Sequence, residues 1–277
     1  MICWLNGAFC PVEQARIDPQ DRGFLLGDGI FETMLAVDGV VRRAPRHLAR
    51  LAGAAELLGF LAPFSDNEIL AAIGRLLQEN GLHQGRAVLR LTLTRGAGAR
   101  GLAPPPHVTP ALLLTAAATS PPPQSMRAII SSCVRNEKSV TSRIKSLNYL
   151  DNIMARREAV QNGADEALMR NSTGDIAAAS AANIFVVEDG VLSTPSVGDG
   201  ALPGVMRSIV LAAAAELDIP AREGPVAIEA LTRISEAFLS NALIGVCPLV
   251  EIDGKVIGNG VAGPITRQLQ LISKDRE

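Results

Sequence analysis

The sequence lacks the cysteine and histidine spacing by which proteins hold a structural metal. Its 4 cysteines, Cys3, Cys10, Cys133 and Cys247, form no Cys-x-x-Cys pair, and its 3 histidines are scattered along the chain. Zinc sites usually bring such ligands together at short, regular spacing. We therefore expect no metal, and we expect the thiols to be reduced, as they are in the cytoplasm.

The sequence also lacks the features of a membrane protein or a nucleic-acid-binding protein. No run approaches the ~20 apolar residues that a membrane-spanning helix needs. The N-terminal stretch MICWLNGAFCPVEQ has neither the basic nor the apolar region of a signal peptide. Acidic and basic residues are interspersed and give a net charge of −2, which argues against a nucleic-acid-binding surface. We therefore expect a cytoplasmic globular protein with neither a membrane nor a nucleic acid as partner.

Lysine is scarce, which draws attention to one lysine in particular. Of the 26 basic residues only Lys138, Lys145, Lys255 and Lys274 are lysines, and Lys145 lies in the mostly uncharged run SRIKSLNYL. A lysine amine can lose its proton when desolvated and then act as a base or a Schiff-base nucleophile, whereas a guanidinium stays charged. Taken alone, Lys145 is better explained as a surface residue at the start of a helix.

Hydrophobic periodicity predicts a mixed α+β chain. Alternating apolar residues indicate strands, apolar residues three or four apart indicate helices, and acidic residue–glycine pairs indicate hairpin turns. The predicted elements are a hairpin at Asn6-Gly7, helices at 44–59, 65–81, 147–163, 204–219 and near 226–232, strands at 87–96, 111–118 and 126–134, and hairpins at 184–194 and 247–257.

The segment TSPPPQS, residues 119–125, has the composition of a linker. We therefore predict a small N-terminal α/β domain at 1–118 and a larger C-terminal domain at 126–277.

Four segments carry residues that suit anion binding or catalysis. Arginines can bind carboxylate or phosphate through two hydrogen bonds, and backbone amides at a strand end can bind an anion. Taken alone, the first three segments are more simply explained as ordinary loops or a solvated helix, and the fourth is equally typical of an ordinary turn. The four are DRGFLLGDGIFET at 21–33, RHLARL at 46–51, TRGAGARGL at 94–102 and SNALIGVCPL at 240–249.

Together with IKSLNYL, these segments resemble the fold type IV, pyridoxal-phosphate-dependent enzymes, the class IV aminotransferase family. The resemblance runs in matching order over roughly residues 4–260. It implies two α/β domains, of which the C-terminal one is the main binding domain, with pyridoxal 5'-phosphate in the cleft between them. It also implies an amino-acid-like substrate and a homodimer, in which the arginine loop often reaches the neighbouring subunit's site.

The resemblance assigns roles to individual residues. Lys145 matches the catalytic Schiff-base lysine, and Tyr149 matches the tyrosine that hydrogen-bonds the phenolic oxygen of the cofactor. Arg100 would hold a substrate carboxylate, and Phe31 lies at a substrate-binding position. The residues assigned to the cofactor phosphate are Arg50, Val205 and Met206 in LPGVMR, and Ser240, Asn241 and Ala242.

Within the family, the segments 21–33, 94–102 and 240–249 are most similar to 4-amino-4-deoxychorismate lyase, which releases pyruvate to make p-aminobenzoate, a folate precursor. D-amino-acid transaminases carry a histidine two residues after the loop arginine, where this chain has Leu102, and usually a tyrosine in place of Phe31. A transaminase of D- or branched-chain amino acids remains the first alternative. A weakened or non-catalytic family member is the second.

One position departs from the family pattern. A glutamate usually pairs with the pyridine nitrogen of the cofactor, and the matching position in GDIAAASAANIF is Ala178. Asp175 lies three residues upstream and so would point to the other face of an extended chain. Without the carboxylate the ring should be a weaker electron sink. This favours the lyase, since aromatisation of its substrate supplies driving force, but it also fits a weakened enzyme.

Overall fold

A computed structural model describes residues 1–105, 107 and 109–274 of the chain. Residues 275–277, at the end of the predicted second domain, lie outside the described residues. So do positions 106 and 108 of the predicted first domain.

The chain divides into two compact units. The first unit comprises residues 1–121 and 145–148, and the second unit comprises 122–144 and 149–277. The division after Pro121 falls within the segment for which the sequence predicts a linker. The segment Lys145–Asn148 was not expected in the first unit, because it lies well beyond that linker.

The first unit contains a six-stranded sheet in which every neighbouring pair is antiparallel. The strand order is β2-β1-β6-β5-β3-β4. Its elements in chain order are β1 (Ile2–Leu5), β2 (Ala8–Pro11), α1 (Arg22–Leu26), β3 (Gly29–Val37), β4 (Val40–Val41), α2 (Ala44–Leu57), α3 (Asp66–Glu79), β5 (Arg86–Thr94) and β6 (Ala111–Ala118).

Local sequence signals account for most of these elements. Asn6 and Gly7 adopt φ values of 48° and 91°, the left-handed conformations that a two-residue hairpin turn requires. Ser65 and Glu68 form the capping box that starts α3. On α2, the predicted apolar face is buried at Leu48, Leu51 and Ala55.

Helix α1 was not predicted, since the three glycines in the segment 21–33 are typical of a loop. The Asp21 carboxylate accepts hydrogen bonds from the N–H groups of Gly23 and Phe24, and Gly27 ends the helix in the left-handed region. The helix has only 5 residues, too few to show an apolar periodicity.

The second unit contains a nine-stranded mixed sheet. The strand order is β12-β11-β10-β13-β14-β7-β8-β9, and β15 pairs with β14. The elements are β7 (Met126–Val134), α4 (Val140–Arg143), α5 (Leu150–Gln161), β8 (Glu166–Arg170), β9 (Ile176–Ala179), β10 (Asn183–Glu188), β11 (Val191–Thr194), α6 (Val205–Glu216), β12 (Ala221–Glu223), β13 (Glu236–Asn241), β14 (Gly245–Ile252), β15 (Lys255–Val256) and α7 (Pro264–Lys274).

Strand β10 is apolar on both faces because both faces of the sheet are covered. Ile184 and Val186 belong to one apolar cluster, while Phe185 and Val187 belong to another that includes residues of α6 and α7. The ring of Phe185 stacks on that of Phe238 at a centroid distance of 4.8 Å. This core packs the later turns of α6, at Val210, Ala213 and Ala214, against the central strands.

Helix α5 starts at Leu150, three residues later than the predicted 147. The residues before it are extended, since Phe31 N–H donates to the Lys145 carbonyl and Leu147 N–H donates to the Gly29 carbonyl. The predicted helix near 226–232 is a 3₁₀ turn at Ile228–Thr232. Among the described residues, no helix is long and apolar enough to cross a membrane.

Candidate functional site

Lys145 and Phe31 lie together in the first unit. The backbone N–H of Phe31 donates to the carbonyl of Lys145 at 2.9 Å. The Lys145 Nζ lies 4.3 Å from the centre of the Phe31 ring, and the Arg90 guanidinium lies 3.8 Å from it. A cation this close to an aromatic face is attracted by the ring. The buried ring of Phe31 therefore lies against the amine of Lys145.

Arg50 is oriented by a buried carboxylate, Glu32. The Nε and Nη2 atoms of Arg50 donate to Oε1 and Oε2 of Glu32, each at 2.7 Å. The Nδ1 of His47 is 2.7 Å from Oε2 of the same carboxylate. Burial raises the pKa of the Glu32 carboxyl, but the hydrogen bonds from His47 and Arg50 outweigh it and hold the pKa below its ordinary value. Glu32 is therefore a buried anion that fixes the plane of the Arg50 guanidinium.

Sequence reasoning missed Glu32 and His47. The signal was present, because Glu32 is the only charged residue in the strand GIFETMLAV. A carboxylate inside an apolar strand needs a cationic or hydrogen-bonding partner, and the histidine and arginine of RHLARL supply it.

Arg100 lies in the loop between β5 and β6, and its side chain is exposed. Its backbone follows the glycine-rich turn that leaves β5 at Thr94. Arg100, Arg50, Lys145 and Phe31 thus all belong to the first unit.

In the second unit, the N terminus of α6 is an uncapped helix end. Gly204 is its N-cap, with no side chain accepting from the first turn in the described structure. The first backbone N–H groups of a helix have no partner within the helix, and they lie at the positive end of the helix dipole. The side chains of Val205 and Met206 are buried, so their backbone is held in place.

Asn183 holds the turn that leads into α6. Its Nδ2 donates to the Leu202 carbonyl at 2.9 Å. A Cβ at Gly204 would lie 2.1 Å from Asn183 Oδ1, so only glycine allows this approach. Asn183 also pairs with Ser240 between β10 and β13, which brings Ser240 to the same side chain that anchors the turn.

Ser240 carries a polar atom without a partner. Its residue is 1% exposed, and its Oγ makes no hydrogen bond with any described residue. A buried, unpaired hydroxyl is costly, which makes it a candidate for binding a ligand.

The neighbouring Asn241 shapes the turn that follows β13. Its Oδ1 accepts from the N–H groups of Leu243 and Ile244, both at 2.9 Å, and its Nδ2 donates to the Ala181 carbonyl at 3.0 Å. Its side chain is therefore used to order the turn, in which Ala242 is half-buried.

Tyr149 is the N-cap residue of α5 and is half-buried. Arg135, which sequence reasoning missed, lies within electrostatic range of it. Burial lowers the pKa of Arg135, while the electrostatic interactions with Tyr149 and Asp151 oppose that shift. Arg135 donates to the carbonyls of Gly200 and Ser142 at 2.6 and 2.9 Å.

Ala178 is buried on β9, opposite Met169 of β8. The nearby acids are engaged elsewhere. Asp175 accepts from the Thr173 hydroxyl at 3.0 Å. Glu166 accepts from the Ser180 hydroxyl and, at 2.8 Å, from the Ala167 N–H. Among the described residues, no three His, Cys, Asp or Glu side chains are grouped so as to hold a metal ion.

The sequence matches the family Amino-transferase class IV over residues 29–252. A protein of Methanocaldococcus jannaschii named "Putative branched-chain-amino-acid aminotransferase" is 35% identical, covering 99% of this chain and 96% of the relative. The D-alanine aminotransferase of Staphylococcus epidermidis is 32% identical, covering 96% of this chain and 94% of the relative.

Solved structures share the fold. The Escherichia coli branched-chain amino acid aminotransferase superposes with a TM-score of 0.91 at 27% identity, covering 100% of this chain and 96% of that chain. A T.th. branched-chain amino acid aminotransferase complexed with N-(5'-phosphopyridoxyl)-L-glutamate gives 0.89 at 28% identity, covering 98% and 92%.

A Legionella pneumophila structure named "Putative 4-amino-4-deoxychorismate lyase" gives a TM-score of 0.86 at 27% identity, covering 94% of this chain and 95% of that chain. The family match, the full-length relatives and the shared fold confirm the resemblance inferred from the sequence. The chain belongs to the class IV aminotransferases, the pyridoxal-phosphate-dependent enzymes of fold type IV.

Proposed function

We propose that the chain is a 4-amino-4-deoxychorismate lyase, which releases pyruvate from its substrate and leaves p-aminobenzoate, a precursor of folate. The observation that carries this proposal is the apolar side chain of Ala178, at the position where the family usually has a glutamate. The likeness to the Legionella structure is consistent with it.

Two groups in the second unit support the proposal that this unit binds the phosphate of the cofactor. The uncapped N terminus of α6 presents backbone N–H groups to an anion. The Oγ of Ser240 is a buried hydroxyl that the described residues leave unpaired, and both groups adjoin Asn183. Val205, Met206 and Ser240 are therefore the proposed phosphate ligands, together with the turn at Asn241 and Ala242.

In the first unit, Arg50 is the proposed further phosphate ligand. Two of its nitrogen atoms are bound by Glu32, so the guanidinium is oriented before the cofactor arrives. Fixing a side chain in advance lowers the entropy cost of binding. Glu32 and His47 are thus proposed to act through Arg50.

Lys145 is proposed as the catalytic residue. When bound, pyridoxal phosphate supplies an electron-withdrawing ring that stabilises negative charge at the amine-bearing carbon of the substrate. The Nζ of Lys145 would hold the cofactor and would take the proton from that carbon as a general base. Phe31, whose ring lies 4.3 Å from Nζ, keeps the amine in place and excludes water from one side of it.

Tyr149 and Arg100 complete the proposed site residues. Tyr149 would donate a hydrogen bond to the phenolic oxygen of the cofactor. Arg100, exposed in its loop, would bind a substrate carboxylate through two hydrogen bonds.

The residues around Ala178 support elimination over amino transfer. Glu166 and Asp175 already accept other hydrogen bonds, so neither of these nearby acids is an evident partner for the ring nitrogen. Weaker electron withdrawal costs most in amino transfer, where the cofactor alone must stabilise the developing charge. Release of pyruvate makes the substrate ring aromatic and so supplies its own driving force.

Amino transfer is the second candidate function. Relatives at 35% and 32% identity are named as branched-chain and D-alanine aminotransferases. These names favour transfer from a branched-chain or D-amino acid to an α-keto acid.

One experiment separates the two functions. The purified holoenzyme is incubated with aminodeoxychorismate, and separately with D-alanine or L-leucine and 2-oxoglutarate. The lyase predicts equal amounts of pyruvate and p-aminobenzoate and little glutamate. Glutamate formation without pyruvate release from aminodeoxychorismate would overturn the lyase in favour of amino transfer. The Lys145→Ala variant is the control and is expected to be inactive in both assays.

We further propose that the enzyme is a cytoplasmic homodimer. Helix α1 exposes Phe24, Leu25 and Leu26, at 76%, 58% and 44%, and contiguous exposed apolar residues often mark an interface. The four cysteines are free thiols, as is usual in a reducing compartment. Sedimentation of the holoenzyme tests the dimer, and a monomer at micromolar concentration would contradict it.

A further inference from the structure

Helix α1 grips the loop that carries Arg100 through one buried side chain, Arg22. Arg22 is 5% exposed. Its Nη1 donates to the Gly101 carbonyl at 3.0 Å and its Nη2 donates to the Leu102 carbonyl at 2.9 Å. A longer contact of 3.5 Å reaches the Ala103 carbonyl. One guanidinium thus binds the carbonyls that directly follow Arg100.

Asp28 binds both Arg22 and Arg95, the first residue of the loop. Its Oδ2 accepts from the Nε of Arg22 and from the Nε of Arg95, each at 2.8 Å. Burial raises the pKa of the Asp28 carboxyl, but the hydrogen bonds from Arg95 and Arg22 outweigh it and hold the pKa below its ordinary value. Arg95 starts the loop and also donates to the Leu58 carbonyl at 2.7 Å. The Asp28 carboxylate therefore links Arg95, at the start of the loop, to Arg22, which binds the later part of the loop.

The backbone of α1 also pairs with the loop. The N–H of Arg22 donates to the Gly96 carbonyl at 2.9 Å, and the N–H of Gly98 donates to the Gln20 carbonyl at 3.2 Å. A Cβ at Gly98 would lie 3.0 Å from Cδ of Arg22. The absence of a side chain at Gly98 therefore lets the loop lie directly on the Arg22 side chain.

We infer that Arg22 is a positioning residue, which holds the loop at residues 101–103 so that Arg100 is presented to a substrate carboxylate. This inference rests on the proposed role of Arg100. It also explains why DRGFLLGDG and TRGAGARGL occur in one chain, since the first segment supplies the side chains that hold the second.

Positioning has a kinetic signature. A loop that is no longer held spends less time with Arg100 in place, so substrate binds more weakly. Cofactor binding does not involve this loop in our assignment. Loss of the Arg22 contacts should therefore raise KM and leave the cofactor affinity unchanged.

The test uses the holoenzyme of Arg22→Lys, which keeps a positive charge beside Asp28 but cannot reach several carbonyls at once. We expect KM to rise about tenfold, the effect of losing charge-assisted hydrogen bonds, with a much smaller change in kcat. Arg75→Lys is the matched control, because Arg75 is an exposed arginine paired with Glu79, and it should leave both constants unchanged.

A double-mutant cycle with Arg100→Ala separates positioning from a general structural effect. If Arg22 acts through Arg100, Arg22→Lys should cause no further loss of kcat/KM in the Arg100→Ala background. An equal loss in both backgrounds would overturn the inference. Asp28→Asn, which removes the anchor and leaves Arg22 intact, should repeat the pattern and serves if Arg22→Lys does not fold.

Limited proteolysis tests the loop independently of the reaction. Trypsin should cleave after Arg100 several-fold faster in Arg22→Lys than in the wild type or in Arg75→Lys. If Arg100→Ala leaves KM unchanged, the role of Arg100 in the proposed function is wrong, while faster cleavage would still support the hold on the loop. An unchanged cleavage rate would overturn the inference that Arg22 restrains the loop.

Discussion

At the scale of single residues, the buried carboxylate of Glu32 is the feature that orients Arg50, a proposed ligand of the cofactor phosphate. It is 1% exposed and binds both Arg50 and His47. Glu32 holds the guanidinium of Arg50 in a fixed orientation. An arginine exposed on a helix without such a partner would not be oriented in this way.

Replacing this carboxylate should weaken both folding and cofactor binding. Breaking a buried ion pair by neutralising one partner costs roughly 3 kcal/mol of unfolding free energy. We expect Glu32→Gln to lose about that much in urea denaturation and to bind pyridoxal phosphate about tenfold more weakly. Glu79→Gln, which removes the acid from an exposed pair with Arg75, should change stability by less than ~1 kcal/mol. Equal stability of the two variants would refute the role of Glu32.

The pH dependence of stability follows from the same group. The folded-state pKa of Glu32 lies below its ordinary value of 4.5. Its stabilising contribution is therefore complete above that value and is lost as the pH falls through the lower, folded-state pKa. The unfolding free energy, measured as a function of pH, should fall more steeply below pH 4.5 in the wild type than in Glu32→Gln. Parallel curves would show that Glu32 has no depressed pKa.

Ala178 allows a direct test of reaction preference. Ala178→Glu would restore a carboxylate at the position that the family usually uses, so amino transfer should gain relative to pyruvate release. Ala178→Gln has nearly the same size without the charge and is the matched control. The measured quantity is the ratio of glutamate to pyruvate formed. If Glu and Gln change this ratio equally, the charge at position 178 does not set the preference.

At the scale of elements, α6 depends on a glycine at its first turn. A Cβ at Gly204 would lie 2.1 Å from Asn183 Oδ1, so Gly204→Ala must displace the helix start or Asn183. We expect at least a tenfold loss of affinity for pyridoxal phosphate, measured by absorbance titration. Gly198→Ala is the control, because the nearest atom to its Cβ is 3.4 Å away. Wild-type affinity in Gly204→Ala would contradict the assignment of α6 to the phosphate.

The sequence predicted those elements whose signals are local. The strands at 111–118 and 126–134 have the predicted bounds, because the proline-rich segments at 104–110 and 119–125 interrupt the chain beside them. The start of α5 was wrong by three residues, because the segment Lys145–Asn148 is held by hydrogen bonds to β3, more than a hundred residues away. Local periodicity contains no information on such a pairing.

The candidate site was predictable in its motifs but not in its supporting contacts. Lys145, Arg50 and Arg100 came from matched segments, whereas Arg22 looked like one charge in a glycine-rich loop. The contacts of Arg22 form only when the fold brings α1 and the loop after β5 together. Arg135 likewise gives no signal in the sequence, since its partners are backbone carbonyls.

At the scale of the whole molecule, fold and reaction must be argued separately. The chain superposes on a branched-chain aminotransferase with a TM-score of 0.91 and on a structure named as a lyase with 0.86. Such scores establish the family and do not distinguish the reactions that one fold supports. The preference for pyruvate release therefore rests on position 178 and on the residues around it.

The account depends most directly on the claim that Lys145 holds the cofactor. The measurement is borohydride reduction of the protein with added pyridoxal phosphate, followed by identification of the labelled peptide. The scarcity of lysine makes the result clear, since Lys138, Lys255 and Lys274 are the other lysine side chains. We predict a visible absorbance band that reduction abolishes, with the label on Lys145. A label on one of the other lysines, or no label at all, would contradict the account.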